Sequence, residues 1–311
     1  MPRILITGVT GFVGSNLVKH FSSLQNYAIL GHSRDIRKAR EQFGPYPLEI
    51  INDCSASSLN RSGIDYVIHL AGIAHDLSNQ FKPEDYYKVN FEGTKLLFDE
   101  FLKSNASKFI FVSSIKAAVD VTRDLVNEDV IPSPVTDYGK SKLKAEQYIQ
   151  SRATAPGKYY YILRPAMIHG PGNKGNLNLL YRFVKSGIPF PFGKFDNQRS
   201  FLSIDNFIFI AQQLLEHEIK SGIYHLADNG FLSTKELYEA VAIAIGKPPR
   251  IMGIPRSWIQ FFASALRKQH LVNKLTENMM VSNKKIISNL NGDLPIEIRE
   301  GISKTIQSFQ K

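Results

Sequence analysis

From the N-terminus to about residue 165, short apolar runs rich in Ile, Val, Phe and Tyr alternate with longer amphipathic stretches. Arg3–Thr7, Tyr27–His32, Leu48–Asn52, Tyr66–Leu70, Lys108–Ser113 and Tyr159–Arg164 read as strands. Gly11–Leu24, Pro83–Ser104 and Asp137–Ser151 carry helical patterning between them. Strand and helix in alternation predict a parallel sheet covered on both faces, a doubly wound α/β fold. After Pro165 the chain turns to Gly, Pro and Asn with scattered helical stretches, Asn178–Ser186, Ile204–His217, Ser233–Ile245 and Pro255–Leu266. The expected organisation is a Rossmann domain over 1–165 and a smaller α/β substrate-binding region over 166–311. Some segments of that second region are expected to pack back on the first. There is no internal repeat and no low-complexity tract.

The first strand opens straight into Gly8, Gly11 and Gly14 and then into a helix. A strand, a glycine turn and a helix together form the geometry that grips a pyrophosphate. Gly8 permits the turn, Gly11 lets backbone N–H groups approach the phosphates, and Gly14 lets helix and strand pack closely. The phosphates then sit at a helix N-terminus, whose N–H groups and dipole favour negative charge.

A second cluster points to the chemistry. Tyr138 and Lys142 lie four residues apart on a helical stretch and so share a face. A phenol with a pKa of about 10 is a poor acid–base catalyst at neutral pH. An adjacent ammonium, and the positive ring of an oxidised nicotinamide, are expected to pull it toward neutrality. Lys108–Val112 delivers Ser113 and Ser114 to the carboxyl end of a strand, the edge of an open parallel sheet where ligands bind. A hydroxyl there, of Ser113 or Ser114, would hydrogen-bond a substrate carbonyl or alcohol while Tyr138 transfers the proton.

These pieces resemble the extended short-chain dehydrogenases/reductases, especially those acting on nucleotide-linked sugars. The pattern Thr7-Gly8-Val9-Thr10-Gly11-Phe12-Val13-Gly14 matches that family's fingerprint rather than the G-x-G-x-x-G spacing. Matches continue through Asp53, His69-Leu70-Ala71-Gly72, Asn90, Ser113-Ser114, Tyr138 with Lys142, Leu163-Arg164-Pro165, Gly170-Pro171-Gly172 and Arg199 to Asp205, so they span nearly the whole chain. Within the family the chain looks most like bacterial enzymes of polysaccharide synthesis that reduce or epimerise C4 of a UDP-linked sugar. The resemblance implies cofactor contacts from Gly8, Gly11, Phe12, Val13 and Gly14. It implies that Asp53 accepts from the adenine amino group with Cys54 beside it, and that Leu70, Ala71 and Gly72 line the pyrophosphate. Lys142 would also bond the nicotinamide ribose, and Asn90 would order the strand ends. On the substrate side it implies Arg199 and Asn176 at the diphosphate or sugar, and a uracil site around Pro189–Phe192. His75 either faces the sugar or is a loop histidine with no ligand. Relatives often dimerise through the helices at Pro83–Ser104 and Asp137–Ser151, so a homodimer is possible.

Cofactor choice turns on the end of the second strand, Leu30-Gly31-His32-Ser33-Arg34-Asp35. NAD enzymes usually place an acid there to accept from the ribose hydroxyls. Ser33 and Arg34 suit a 2′-phosphate instead, Arg34 through a charge-assisted pair. NADP(H) is therefore favoured, with Asp35 serving NAD(H) as the alternative. Three reactions compete on this scaffold. In dehydratase relatives an Asp-Glu pair follows the catalytic hydroxyl residue; Ile115-Lys116 stands here, which disfavours dehydration. Many epimerases and dehydratases carry Asn where this chain has Met167. The favoured reading is reduction of a UDP-4-keto-6-deoxy-(N-acetyl)hexosamine, with a UDP-hexose or UDP-N-acetylhexosamine 4-epimerase as the alternative. A non-catalytic NADP(H) sensor and a reductase of small lipophilic ketones are further rivals.

Composition adds bounds. Thirty-eight Lys and Arg against 28 Asp and Glu give a net charge of +10. No long basic block or nucleic-acid motif accompanies it, so nucleic-acid binding is not expected. The single cysteine, Cys54, argues against a disulfide framework or a cysteine-rich metal site. With an N-terminus unlike a signal peptide, it points to the cytoplasm. No run is long enough to span a membrane. Trp258–Leu266, with Arg256, Arg267 and Lys268 beside it, reads as a core or lid helix, an interfacial membrane helix being the alternative.

Overall fold

The computed structural model describes residues 1–73, 80–152, 156–173, 175–265 and 269–310. Seven parallel strands form the central sheet: β1 (Arg3–Thr7), β2 (Ala28–His32), β3 (Leu48–Ile51), β4 (Tyr66–His69), β5 (Lys108–Val112), β6 (Tyr159–Pro165) and, arriving later, β9 (Gly222–Leu226). Their order is β3-β2-β1-β4-β5-β6-β9. A separate pair, β7 (Met167–His169) with β8 (Phe201–Ser203), is also parallel. This is the doubly wound Rossmann-like α/β fold that the alternation predicts.

The strand period of two sorts the apolar residues onto two faces. Ile4, Ile6 and Ile68 pack with Leu17, Val18 and Phe21 of helix Phe12–Leu24 and with Phe207, Ala211 and Leu214 of helix Ile204–Glu216. Leu5, Val67, Phe109 and Phe111 pack on the other face against Phe98 and Phe101 of helix Gly93–Lys103 and Ala145 and Ile149 of helix Asp137–Ser151. A third cluster, including Leu177, Tyr181, Phe190, Phe201, Tyr238 and Ile302, lies outside the sheet and builds the core of the later half.

Two lysines tie strands to helix ends. Lys108, at the start of β5, donates to the carbonyls of Leu214, Leu215 and His217, where helix Ile204–Glu216 ends. Lys158, just before β6, does the same for Phe101, Ser104 and Ala106 at the end of helix Gly93–Lys103. Both cations meet the negative end of a helix dipole, which offsets part of their burial.

The structure departs from the sequence expectation in particular places. β9 and the pair β7–β8 form in a stretch read as scattered helices. The long helix expected over 83–104 contains a π-helical segment, Tyr87–Glu92, flanked by Pro83–Tyr86 and Gly93–Lys103. Short helices Ile36–Phe43 and Ala56–Arg61 fill gaps between strands, and Ile298–Ser308 adds a helix near the C-terminus.

Candidate active site

The sheet order reverses beside β1, and the carboxyl ends of β1, β4 and β5 frame a crevice there. Gly8 turns the chain with φ at +68°. A Cβ on Gly8 would lie 2.8 Å from the Ala71 nitrogen, so the ends of β1 and β4 are in backbone contact. A Cβ on Gly14 would lie 2.5 Å from the Gly8 carbonyl oxygen and 2.8 Å from Val9 Cα. Gly11 caps helix Phe12–Leu24 with no side-chain hydrogen bond, and the first turn carries no acid. The helix N-terminus thus presents backbone N–H groups without a competing carboxylate, inside walls that any side chain would fill. These residues fit a dinucleotide pyrophosphate. Phe12 reaches toward the loop after β7, its ring tip 3.4 Å from where a Gly170 Cβ would stand.

Behind the cradle lies a buried polar relay. The Thr94 hydroxyl donates to the Asn90 carbonyl at 2.7 Å, so His69 Nε2, 2.9 Å away, must donate to Thr94 Oγ1. His69 Nδ1 is then the acceptor and takes the Thr7 hydroxyl at 2.6 Å. Burial first, then the charges of Lys142 and His32, lowers His69 to about 3 and keeps it neutral. Asn90 is fully buried and spends its amide on the Ile73 backbone, at 2.8 and 3.0 Å, and on Ser141 at 3.1 Å. It orders the loop after β4 against the Tyr138 helix. The π-helical turn that carries it adds a residue to the turn.

Helix Asp137–Ser151 is capped by Thr136, whose hydroxyl accepts from Gly139 N–H. It carries Tyr138, Lys142 and Glu146 at intervals of four. Lys142 is buried; its Nζ donates to the Val112 carbonyl at 2.9 Å and lies 4.8 Å from the Phe111 ring centre. A Cβ on Gly72 would stand 3.3 Å from that Nζ, which places Lys142 at the rim of the β4 turn. Burial lowers its pKa to about 8, against a raising influence from Glu146. Ser114 ends the β5 segment, accepts from the Lys116 N–H at 3.2 Å, and hydrogen-bonds Tyr138. The Tyr138 ring is half-buried and meets Tyr86 edge-on at 6.4 Å. Burial raises the Tyr138 pKa, the Ser114 hydrogen bond opposes this, and Tyr86 adds to the rise. Lys142 is not among the causes of that shift; its ammonium is directed at the Val112 carbonyl.

The two serines divide their work. Ser113 is buried and donates to Glu146, while Ser114 faces Tyr138. Glu146 also takes Arg164, Nε at 3.1 Å to each oxygen and Nη2 at 2.6 Å. Arg164 in turn approaches His225 Nε2 at 3.5 Å. Sequence reasoning missed Glu146 and His225. The signal for Glu146 was its position one turn beyond Lys142 on the face turned to the sheet.

At the end of β2, Ser33 is turned into its own loop, its hydroxyl donating to the Asp35 carbonyl at 3.0 Å. Arg34 is exposed, and the Asp35 carboxylate caps helix Ile36–Phe43 by accepting from Lys38 N–H. Asp53 is exposed and accepts from both the backbone and hydroxyl of Ser55, which hold its pKa low. Cys54 is half-buried, and burial pushes its thiol up to about 12. Leu70 and Ala71 are half-buried at the β4 end, beside Gly8.

Arg199 and the Phe190–Phe192 stretch, expected on one side of the substrate, line a single cavity of about 640 Å³ with Leu177, Phe201 and Leu275. Arg199 Nη1 donates to the Glu277 carbonyl at 3.4 Å, and burial lowers the guanidinium pKa while Glu277 opposes. Asn176 is the first residue of helix Asn176–Lys185, capped by Gly175; its side chain lies outside the described part. His75 lies outside the described residues.

Comparison with known proteins gives the same family reading. The family described as "NAD dependent epimerase/dehydratase family" matches residues 4–227. The chain is 32% identical to a UDP-glucose 4-epimerase of Vibrio cholerae, over 99% of this chain and 96% of that protein. It is 24% identical to a GDP-6-deoxy-D-talose 4-dehydrogenase of Aggregatibacter actinomycetemcomitans, over 76% of this chain and 78% of that protein. Among solved structures, the Bordetella bronchiseptica enzyme WbmG, in complex with NAD and UDP, superposes with a TM-score of 0.76 at 20% identity. That match covers 99% of this chain and 93% of WbmG and shows the fold.

Proposed function

The chain belongs to the NAD dependent epimerase/dehydratase family, and on that premise we propose that it reduces C4 of a UDP-linked 4-keto-6-deoxy-(N-acetyl)hexosamine with NADPH. It is an NAD(P)-dependent enzyme of the sugar-nucleotide epimerase/dehydratase type. The observation that carries the proposal is the meeting of Tyr138, Ser114 and Lys142 at the rim of the glycine cradle.

In this reading Gly8, Gly11, Phe12, Val13, Gly14 and the Leu70–Ala71–Gly72 turn hold the dinucleotide. A bound nicotinamide supplies, or accepts, a hydride. Tyr138 gives its phenolic proton to the oxygen forming at C4, and its raised pKa keeps that proton in place until the alkoxide develops. Ser114 hydrogen-bonds the same oxygen and stabilises its charge. Lys142, fixed on the Val112 carbonyl, offers its remaining donors to the ribose. Arg199 neutralises the diphosphate, and the Phe190–Phe192 wall takes the base.

Two observations favour reduction over the other reactions of the family. The positions after Ser114 hold buried Ile115 and Lys116, the latter paired with Asp120 at 3.2 Å, so no carboxylate directly follows Ser114 to serve a dehydration. At the cofactor end Arg34 is exposed while Asp35 is held in a helix cap, which suits a 2′-phosphate and a cofactor exchanged every turnover. The 4-epimerase reading is favoured by the name of the Vibrio relative and would go with tightly retained NAD.

The test is to supply the UDP-4-keto-6-deoxy sugar with NADPH or NADH and compare cofactor absorbance with product. One NADPH consumed per sugar supports the reductase. Interconversion of UDP-hexoses without net cofactor consumption replaces it with the epimerase. Tyr138→Phe should leave cofactor binding intact and reduce turnover by about 100-fold or more; unchanged turnover removes Tyr138 from the mechanism.

A further inference from the structure

The carboxyl end of β5 is tied to one helix at three successive residues. The Val112 carbonyl accepts from Lys142 Nζ at 2.9 Å, Ser113 donates to Glu146, and Ser114 hydrogen-bonds Tyr138. Tyr138, Lys142 and Glu146 follow at intervals of four on helix Asp137–Ser151, so one helix face meets one strand end. Glu146 is the most deeply buried of the three. Its carboxylate also takes Arg164 of β6, through Nε at 3.1 Å and Nη2 at 2.6 Å. The Ser113 N–H donates to the Leu163 carbonyl at 2.8 Å, so the ends of β5 and β6 and the helix are joined at this carboxylate. For stability alone, apolar residues of equal volume would serve as well as such an ion pair. The place of the pair in the register gives it a second effect. One turn back, burial pulls the Lys142 ammonium toward the neutral amine, and Glu146 opposes this. The other groups around Lys142 carry no negative charge. Phe111 and Val112 of β5 offer a ring and a carbonyl, and the Asn90 amide reaches the same side of Gly72 as Lys142 Nζ. His69 of β4 is neutral at a pKa of about 3. Beyond Arg164, His225 of β9 is neutral at about 4.

We propose that Glu146 is a positioning residue for the hydride chemistry of this site: it is the counter-charge of the Lys142 ammonium, and through Ser113 it fixes the strand end that presents Ser114 to Tyr138. This rests on Tyr138, Ser114 and Lys142 acting as proposed above, and it holds for reduction and for epimerisation alike. In either direction the phenol of Tyr138 passes through its anion, which a nearby ammonium stabilises and a neutral amine does not. The ammonium also has three donors, one held by Val112 and two left for the dinucleotide ribose; the amine has one fewer and no charge. Glu146 touches neither sugar nor cofactor in this scheme and acts only through Lys142 and Ser113.

Dinucleotide binding reads Lys142 without any sugar. NADH and NADPH are each titrated into the full chain from about pH 6 to about pH 10, with nicotinamide fluorescence giving the dissociation constant. Wild-type affinity is expected to fall as pH rises through about 8. In Glu146→Gln the same fall should come lower by about one pH unit or more. The alkaline limb of kcat should move with it, for whichever C4 reaction the wild type performs. Ser113→Ala keeps the carboxylate and Arg164, so it should lower kcat and leave the fall in affinity at the wild-type pH. Circular dichroism confirms folding; should Glu146→Gln fail to fold, Glu146→Leu with Arg164→Met takes its place, with the same shift expected. A folded variant lacking Glu146 whose affinity falls at the wild-type pH overturns the proposal, as does a wild-type affinity that does not fall. Ser113→Ala with full kcat, or with as large a pH shift as Glu146→Gln, overturns it as well. A wild type that binds dinucleotide yet turns over neither sugar refutes the reaction proposed above, while the binding titrations still decide the part of Glu146.

Discussion

Glu146→Gln keeps the shape of the side chain and removes one charge from a deeply buried ion pair. Arg164 and Glu146 are 1% and 0% exposed and meet at 2.6 Å. The pair makes little net contribution compared with apolar residues of the same volume, but breaking it on one side leaves the guanidinium buried without its anion. That costs on the order of 3–5 kcal/mol. Spread over 311 residues at about 2.1 cal/mol/K each, the loss lowers Tm by roughly 5–8 °C. Two nearby groups change with it. Ser113 loses a charged acceptor, and Lys142 loses the influence that holds its pKa as high as about 8. The assay is thermal unfolding at neutral pH of the wild type, Glu146→Gln, and the double variant Glu146→Leu with Arg164→Met. The double variant removes both charges and should recover most of the loss, a coupling that additive effects do not produce. A Glu146→Gln variant that melts with the wild type, or a double variant below the single one, would refute this reasoning.

Gly14→Ala should cost about 1–3 kcal/mol and abolish dinucleotide binding, because its Cβ meets unyielding backbone at 2.5 Å. Melting and a cofactor titration check this, and a variant that binds NAD(P) normally would show that helix and loop can part. Stability should fall in acid through two buried histidines, His69 at about 3 and His225 at about 4 against an ordinary value of 6.5. Between those values the unfolded chain binds protons that the folded chain does not, so unfolding free energy drops as pH falls below 6.5. Each contributes a slope of up to about 1.4 kcal/mol per pH unit. Urea midpoints at pH 7 and pH 5 measure it; equal midpoints would mean that the histidines titrate alike in both states.

The first six strands were legible because each is a short, mostly apolar run bounded by turns, most of them buried on both faces and β3 at the sheet edge only partly so. β9 was not: Gly222-Ile223-Tyr224-His225-Leu226 contains a glycine, a histidine and one hydroxylated ring, and it becomes a strand because β6 has a free edge to pair with. β7 and β8, at three residues each, are too short for any periodicity. The glycine cradle and the Tyr138–Lys142 pairing follow from local spacing, one from strand–turn–helix order and the other from the helical repeat. The Glu146–Arg164–His225 line joins residues far apart in sequence and depends on which helix face meets which strand. The burial that raises the Tyr138 pKa was likewise not legible, since its depth is a property of the assembled crevice. Asn90 was marked by its motif, but the backbone of Ile73 that it grips lies across a turn.

β9 also bears on how this chain reaches its fold. Its partner β6 ends at Pro165, and β9 begins at Gly222 with the pair β7–β8 formed by the chain in between. A ribosome that has released only the first six strands would leave β6 as an open edge, with Tyr161 to Pro165 lacking the neighbours that later complete them. Strands one to six can collapse on local crossovers; the seventh must close a long loop before its contacts reward it. The last step of sheet assembly is therefore expected to be the slow one. During that wait the edge is exposed to other nascent chains, and an assisting chaperone would have its greatest effect there.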